Sequence, residues 1–204
     1  MGVRHGLQAA VLMMAFAAPA AAQTASPHVV LLDTEAGRMA IAVDLEHAPV
    51  TGCNFIRAAL RGAYADGTFF RTVVAQTNAN PNPIDVIQAA TVHGSDDATQ
   101  PSIPLERTRD TGLHHTAGAV SMARDGPDTA TTSFFIVTQD TPALDFGGGR
   151  NPDGQGFGVF GYLTEGLDVA RRIQAMPATD EALDAPVRIR AAHLLGPNPT
   201  QCGL

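Results

Sequence analysis

The sequence lacks lysine entirely, so all 13 of its basic residues are arginines, against a total of 20 aspartates and glutamates. The formal net charge is −7. An acidic surface repels phosphate groups, which argues against nucleic acid and anionic membrane as partners. Cysteine is also scarce, with only two in 204 residues, and a pair is too few to complete a structural metal site by itself.

Long apolar runs are absent except at the start, where residues 1–22 have the layout of a secretory signal peptide. An apolar core from Leu7 to Ala18 follows an early arginine, Pro19 ends it, and three alanines form an A-x-A cleavage site before Gln23. A membrane span needs about 20 apolar residues, and this core is shorter. We therefore expect cleavage, secretion into the periplasm, and a mature monomer without membrane attachment.

Cys53 and Cys202 both follow this leader. In an oxidising compartment they could form one disulfide between the segment after Pro49 and the C-terminal tail, residues 196–204. Two unpaired thiols are the alternative, and the sequence leaves both open.

The apolar pattern of residues 23–195 predicts one domain of many short strands and two helices. Helices are predicted over 50–61 and 167–176, and loops over 76–83 and 93–109. Strands are predicted at Val29–Asp33, Arg38–Asp44, 67–74, 84–88, around Met122 and Phe135, at 158–163 and at 187–195. This pattern favours an antiparallel barrel capped by the helices over alternating βα units.

Other motifs give no basis for hydrolytic or metal chemistry. Ser121 and Ser133 lack the G-x-S-x-G context of a nucleophile elbow. His114 and His115 are adjacent, so on a strand they point to opposite faces, and no cysteine or carboxylate stands at ligand spacing. The glycines at 147–149 lack the Gly-Lys-Ser/Thr that holds phosphates, and we interpret them as turns.

Two segments carry a resemblance that extends over nearly the whole mature chain. Phe69-Phe70-Arg71 resembles the F-x-R segment of the cyclophilins, the barrel-fold peptidyl-prolyl cis-trans isomerases. The stretch 118–138 resembles their S-M-A and F-F-I strands. The resemblance implies a mainly β fold, namely a closed antiparallel eight-stranded barrel capped by two α-helices, and a reaction that uses no metal or other cofactor.

The resemblance also implies the site residues. Arg71 would be the central catalytic group, and Gln88, after Val86-Ile87, would hold the substrate beside it. The substrate-binding set would be Val86, Met122, Ala123, Phe135, Leu144 and Phe157. The partners implied are unfolded or proline-containing polypeptides.

The sequence departs from the family pattern around the groove. Residues 76–83 form an inserted loop between Arg71 and Gln88, and Asp85, or Ile84 if the register slips, stands where the family has a pocket phenylalanine. Four further replacements are Ser133 for glutamine, Arg124 for asparagine, Ala143 for the tryptophan associated with drug binding, and Phe157 for histidine.

Two functions follow from these residues. The first is an isomerase in which Arg71 stabilises the twisted imide. The alternative is a binding module or chaperone that recognises proline-containing segments with little or no turnover, because the groove is altered at Ser133, Arg124 and Asp85.

Overall fold

The structure is a computed structural model that describes residues 1–2, 28–95 and 97–204. The predicted leader lies outside the described residues apart from its first two. The strands are β1 Val29–Thr34, β2 Gly37–Val43, β3 Thr68–Val73, β4 Val86–Ala90, β5 Ala119–Met122, β6 Phe134–Val137, β7 Val159–Glu165, β8 Ala178–Thr179 and β9 Ala182–Leu195. The helices are α1 Pro49–Leu60, α2 Thr108–Thr111 and α3 Leu167–Gln174, with single 3-10 turns at Pro142–Leu144 and Thr200–Cys202.

Eight of the strands close into an antiparallel barrel, in the order β1-β2-β7-β5-β6-β4-β3-β9, and β9 pairs again with β1. The short β8 pairs with β9 alone. The predicted closed eight-stranded barrel is therefore confirmed. Closure leaves no unpaired sheet edge along the barrel wall.

Three details differ from the sequence-based expectation. The strand predicted at 84–88 begins at Val86, and the single-turn helix α2 overlaps the end of the stretch 93–109 that was predicted to be irregular. In addition, β8 and β9 form a hairpin that was not predicted. Asp180 and Glu181 make the turn of this hairpin. The sequence does not indicate this hairpin, because neither turn residue is glycine or asparagine, the usual signals of a tight hairpin.

The barrel interior is filled by an aromatic cluster. Phe55 from α1 packs against Tyr64, Phe134 and Phe160 with ring centroids 4.8–5.3 Å apart, and Phe69 lies 5.9 Å from Phe134. All five side chains are fully buried. The Tyr64 hydroxyl donates to the Thr132 carbonyl at 3.0 Å, so its polar atom is satisfied inside the core.

Helix α1 is fixed against the barrel by a carboxylate from a distant loop. The helix has no side-chain cap of its own, and Glu106 accepts hydrogen bonds from the backbone N–H groups of Val50 at 3.1 Å and Thr51 at 2.8 Å. A negative charge at a helix N-terminus also interacts favourably with the helix dipole. Gly52 allows close approach, because a Cβ there would lie 2.6 Å from Leu45 Cδ2.

Cys53 of α1 and Cys202 of the C-terminal 3-10 turn form a disulfide that closes 149 residues of chain. The tail makes polar contacts beside it, since Arg57 donates to the Cys202 carbonyl at 2.9 Å and Gln201 donates to the Leu45 carbonyl at 3.2 Å. The segment taken as a tail is therefore attached to α1. Among the described helices, none has both the length and the apolar character that crossing a bilayer requires.

Candidate active site

Arg71 and Gln88 are register partners on the neighbouring strands β3 and β4. The Arg71 Nη1 group donates to Gln88 Oε1 at 2.9 Å. The register of β3 shifts between Phe69 and Arg71, as in a β-bulge. A bulge re-aims side chains, and here Phe69 enters the core while Phe70 and Arg71 both line a surface groove.

This groove has a cavity volume of about 390 Å³. Its lining contains all but one of the residues that the sequence assigned to the site: Arg71, Val86, Gln88, Ala123, Phe135, Leu144 and Phe157. The lining combines apolar side chains with the Arg71 guanidinium, the Gln88 amide and other polar groups. A cleft in which polar groups converge beside apolar side chains is a common form of ligand site.

Met122 is the exception, because its side chain does not line the groove. Its side chain is 2 % exposed and packs in the barrel core with Phe134, its register partner on β6. Successive strand residues point to opposite faces. Phe135 faces the groove, whereas Phe134 and Met122 face the interior.

Ile84 and not Asp85 takes the pocket position that the sequence left open between them. Ile84 lines the groove. The Asp85 carboxylate turns away and accepts hydrogen bonds from the Ala75 backbone at 3.1 Å and from Gln174 Nε2 at 3.0 Å. Asp85 thus ties the end of the inserted loop to α3 and is not part of the pocket.

Ser133 holds the side chain of Gln88 in place. The Gln88 amide donates to Ser133 Oγ at 3.1 Å, and the Ser133 hydroxyl donates to the Ala89 carbonyl at 2.9 Å. Both residues are buried. The serine thus supports the orientation of Gln88, whose other amide atom contacts Arg71.

Arg124 supports the pocket wall and does not reach across the groove as a free side chain. Its guanidinium, 1 % exposed, pairs with Asp153 at 2.7 and 3.0 Å and donates to the Gly156 carbonyl at 2.8 Å. Its hydrogen bonds hold the pKa of Asp153 below the usual value. The guanidinium also lies 5.1 Å from the centroid of Phe157, so it fixes the loop that presents this ring.

A buried histidine lies beneath the aromatic pocket. The His115 ring stacks on Phe135 with centroids 6.0 Å apart, and Phe157 packs edge-on against Phe135 at 5.2 Å. His115 Nδ1 donates to Asp145 at 2.6 Å, which leaves Nε2 to accept from the Ser121 hydroxyl at 3.2 Å. No sequence motif joins His115 to Ser121, and only the fold brings their side chains together.

The order Asp145, His115, Ser121 has the atoms of a hydrolytic triad, but the serine is 0 % exposed. No substrate can reach that hydroxyl, so the group serves as a buried support for the pocket floor. Burial lowers the pKa of His115 below its usual value. Burial acts to raise the pKa of Asp145, but hydrogen bonds from His115 and His114 outweigh it and the pKa is lowered.

We expect this buried histidine to make folding stability depend on pH near neutrality. The pKa of His115 is depressed from 6.5 in the folded protein, so the unfolded chain takes up protons first as the pH falls below 6.5. Stability present above that pH is then lost. Urea unfolding of wild type between pH 7.5 and 5 should show a steeper loss of stability than unfolding of His115→Gln.

The neighbouring exposed histidine gives a matched control for this prediction. His114 also contacts Asp145, but its side chain is 60 % exposed. His114→Gln should keep the wild-type slope over the same pH range. If the unfolding free energy of wild type and of His115→Gln fell equally steeply with pH, His115 would not be the source of the pH dependence. Within the described residues, no group of three or more His, Cys, Asp or Glu side chains, this one included, could hold a metal ion.

The chain is similar in sequence to several known proteins. Residues 29–194 match the family model described as cyclophilin type peptidyl-prolyl cis-trans isomerase/CLD. Peptidyl-prolyl cis-trans isomerase A of Dickeya dadantii is 34 % identical over 164 residues, which cover 80 % of this chain and 79 % of that protein. Peptidyl-prolyl cis-trans isomerase cyp18 of Streptomyces antibioticus is 32 % identical over 173 residues, 81 % of this chain and 97 % of that one.

Solved structures agree on the fold. A crystal structure of a Cryptosporidium parvum cyclophilin type isomerase superposes with a TM-score of 0.66 at 19 % identity, covering 84 % of this chain and 99 % of the other. A second crystal structure of that protein, in the presence of the dipeptide Ala-Pro, gives the same TM-score at 18 % identity. At such low sequence identity, the similarity supports a shared fold and nothing more.

Proposed function

The chain belongs to the cyclophilin-type peptidyl-prolyl cis-trans isomerases, and we propose that it accelerates X-Pro rotation by stabilising the twisted imide with Arg71. Rotation is slow because the amide nitrogen shares its lone pair with the carbonyl, which leaves a barrier of about 18–20 kcal/mol. No covalent bond has to form. A catalyst needs only to bind the twisted amide more tightly than the planar one.

Arg71 has the chemistry for this task. When the amide twists, the nitrogen lone pair is released and becomes a hydrogen-bond acceptor. A guanidinium is permanently charged and carries N–H donors in a rigid fork. Three of its hydrogen bonds are directed to Gln88 and Glu181, and a guanidinium has further N–H groups beyond those. We assign these remaining donors to the imide nitrogen.

The apolar side chains of the groove would form the surface that holds the proline ring while the rest of the substrate chain rotates. Ile84, Phe135, Leu144 and Phe157 supply that surface. The backbone N–H of Ala123 already donates to the Ser133 carbonyl at 2.9 Å. We therefore assign the Ala123 carbonyl as the group that receives an N–H from the substrate main chain, which orients it against Arg71.

The single observation that carries the proposal is the position of Arg71 and Phe135 in one groove. Its direct test is the cis-to-trans conversion of an X-Pro tetrapeptide by the purified mature protein. Acceleration that saturates with peptide is the expected result. A conversion rate equal to that of buffer would contradict the proposal.

A binding module without useful turnover is the second candidate. The observation that favours it is Glu181, whose carboxylate engages two N–H groups of Arg71 and neutralises charge beside the groove. In that case proline peptides would bind with negligible turnover, and Arg71→Ala would weaken affinity while leaving the slow basal rate unchanged.

We propose further that the protein acts on exported polypeptides in the periplasm. The leader pattern of residues 1–22 and the disulfide between Cys53 and Cys202 support this location, since disulfides persist in oxidising compartments. Expression of the full chain in a bacterium, followed by fractionation and N-terminal sequencing, tests it. Periplasmic protein beginning at Gln23 is expected, and cytoplasmic protein that retains Met1 would contradict it.

A further inference from the structure

Glu181 reaches the proposed catalytic arginine from a part of the chain 110 residues away. One carboxylate oxygen, Oε2, accepts hydrogen bonds from Arg71 Nε at 3.0 Å and from Arg71 Nη2 at 2.5 Å. Gln88 Oε1 accepts from Nη1 at 2.9 Å. The guanidinium is therefore held along two of its edges, by an amide from β4 and by a carboxylate from the β8–β9 turn.

The second oxygen of Glu181 is fixed by the inserted loop. Oε1 accepts a hydrogen bond from Asn78 Nδ2 at 2.6 Å. The side-chain oxygen of Asn78 accepts in turn from Arg150 Nη1 at 2.9 Å, and that nitrogen also lies 3.3 Å from the Asn82 carbonyl. Both oxygens of the carboxylate are thus occupied, and its orientation is fixed.

The backbone of Glu181 is held as firmly as its side chain. Its carbonyl accepts from the N–H of Thr72, the residue after Arg71, at 2.8 Å. Asp180 and Glu181 have φ values of +50° and +68°, in the left-handed region that costs energy for residues other than glycine. Turn propensity does not account for a glutamate here, whereas its contacts with Arg71 and Asn78 do.

We propose that Glu181 is a positioning residue that holds the Arg71 guanidinium in the orientation needed for isomerisation. This inference rests on the proposed function of Arg71. A long arginine side chain has many rotamers, and donors that are already oriented stabilise a developing charge without reorganisation. Because Arg71 and Glu181 are 35 % and 33 % exposed, their ion pair contributes little to folding stability. Loss of Glu181 should therefore affect the rate without unfolding the protein.

The test uses two substitutions of Glu181 in the mature protein. Glu181→Ala should lower kcat/KM for an X-Pro peptide by about 10-fold to 100-fold, the range that small misplacements of a catalytic group produce. Glu181→Gln keeps the shape of the side chain but not its charge. Its kcat/KM should lie between those of Glu181→Ala and wild type. Glu46→Gln removes an exposed carboxylate that does not line the groove, so it is the matched control and should retain the wild-type rate and melting temperature.

A spectroscopic measurement separates positioning from a general structural role. The Arg71 Nε–H signal in a ¹⁵N NMR spectrum should exchange slowly with water in wild type and rapidly in Glu181→Ala, while amide signals of the barrel strands stay in place. In an Arg71→Ala background, Glu181→Ala should have no further effect on the rate, because Glu181 acts through Arg71.

The outcomes distinguish this inference from the proposed function. If Arg71→Ala abolishes the acceleration but Glu181→Ala leaves it at the wild-type level or raises it, the positioning role is wrong and the isomerase mechanism stands. An unchanged Arg71 Nε–H signal in Glu181→Ala would also overturn the positioning role. If Arg71→Ala keeps the wild-type rate, the proposed function fails and this inference fails with it.

Discussion

Arg71→Ala should lower kcat/KM for cis-to-trans conversion of an X-Pro peptide by about 100-fold to 1000-fold, the cost of removing a preorganised donor from a developing acceptor. The alanine removes the N–H donors that we assign to the imide, while Phe135 and the other apolar side chains of the groove stay in place. The peptide should still bind. The measurement is a protease-coupled or NMR exchange assay with wild type and variant at equal concentration.

Two further variants make this prediction specific. Arg71→Lys keeps a positive charge but loses the fork that contacts both Gln88 and Glu181, so most of the loss should remain. Arg38→Ala removes an exposed strand arginine away from the groove and should be neutral. A wild-type rate in Arg71→Ala would reject the mechanism, and weaker peptide binding without a change of rate would favour the binding module.

Reduction of the disulfide should have the largest effect on folding stability. A bridge between Cys53 and Cys202 restricts the unfolded chain over 149 residues. In the chain-entropy treatment so long a loop corresponds to about 5 kcal/mol, and measured losses in native proteins are about 2–5 kcal/mol. We expect the free energy of unfolding, measured in urea, to fall by about 3–5 kcal/mol when a reductant is added.

The double variant Cys53→Ala with Cys202→Ala controls for the reductant. It should match reduced wild type in stability and should not respond to reductant at all. Neither cysteine lines the groove, so native-state isomerase activity should be unchanged in both forms. A stabilising disulfide is ruled out if the unfolding midpoint of wild type is the same with and without reductant. It is also ruled out if the mass of the non-reduced protein is that of a chain with two free thiols.

The barrel and the central part of the site could be predicted from the sequence because their signals are local or belong to paired strands. Phe69-Phe70-Arg71 and Val86-Ile87-Gln88 lie on strands that pair directly, so Arg71 and Gln88 had to meet once the register was set. Whether Ile84 or Asp85 faces the pocket could not be predicted, because it is decided by contacts with residues that are distant in the sequence. It depends on where β4 begins and on Gln174 of α3, which binds the Asp85 carboxylate.

The contacts that the sequence missed join segments far apart in the chain. Glu181 meets Arg71 only because the last strand folds back beside β3, and no pattern around residue 181 indicates that pairing. His115, Asp145 and Ser121 come from a loop, the end of a 3-10 turn and a strand. The inward direction of the Met122 side chain was not predicted, because a motif names a run of residues without saying which of them faces the groove.

The contacts between Asn78 and Arg150, and between Asn82 Nδ2 and the Gly149 carbonyl at 2.9 Å, make the two surface loops mutually dependent. Grafting only one of them onto a related barrel would leave its polar groups facing the wrong neighbour. A chimera that is to reproduce the structure of this groove has to receive both loops together, and Glu181 with them.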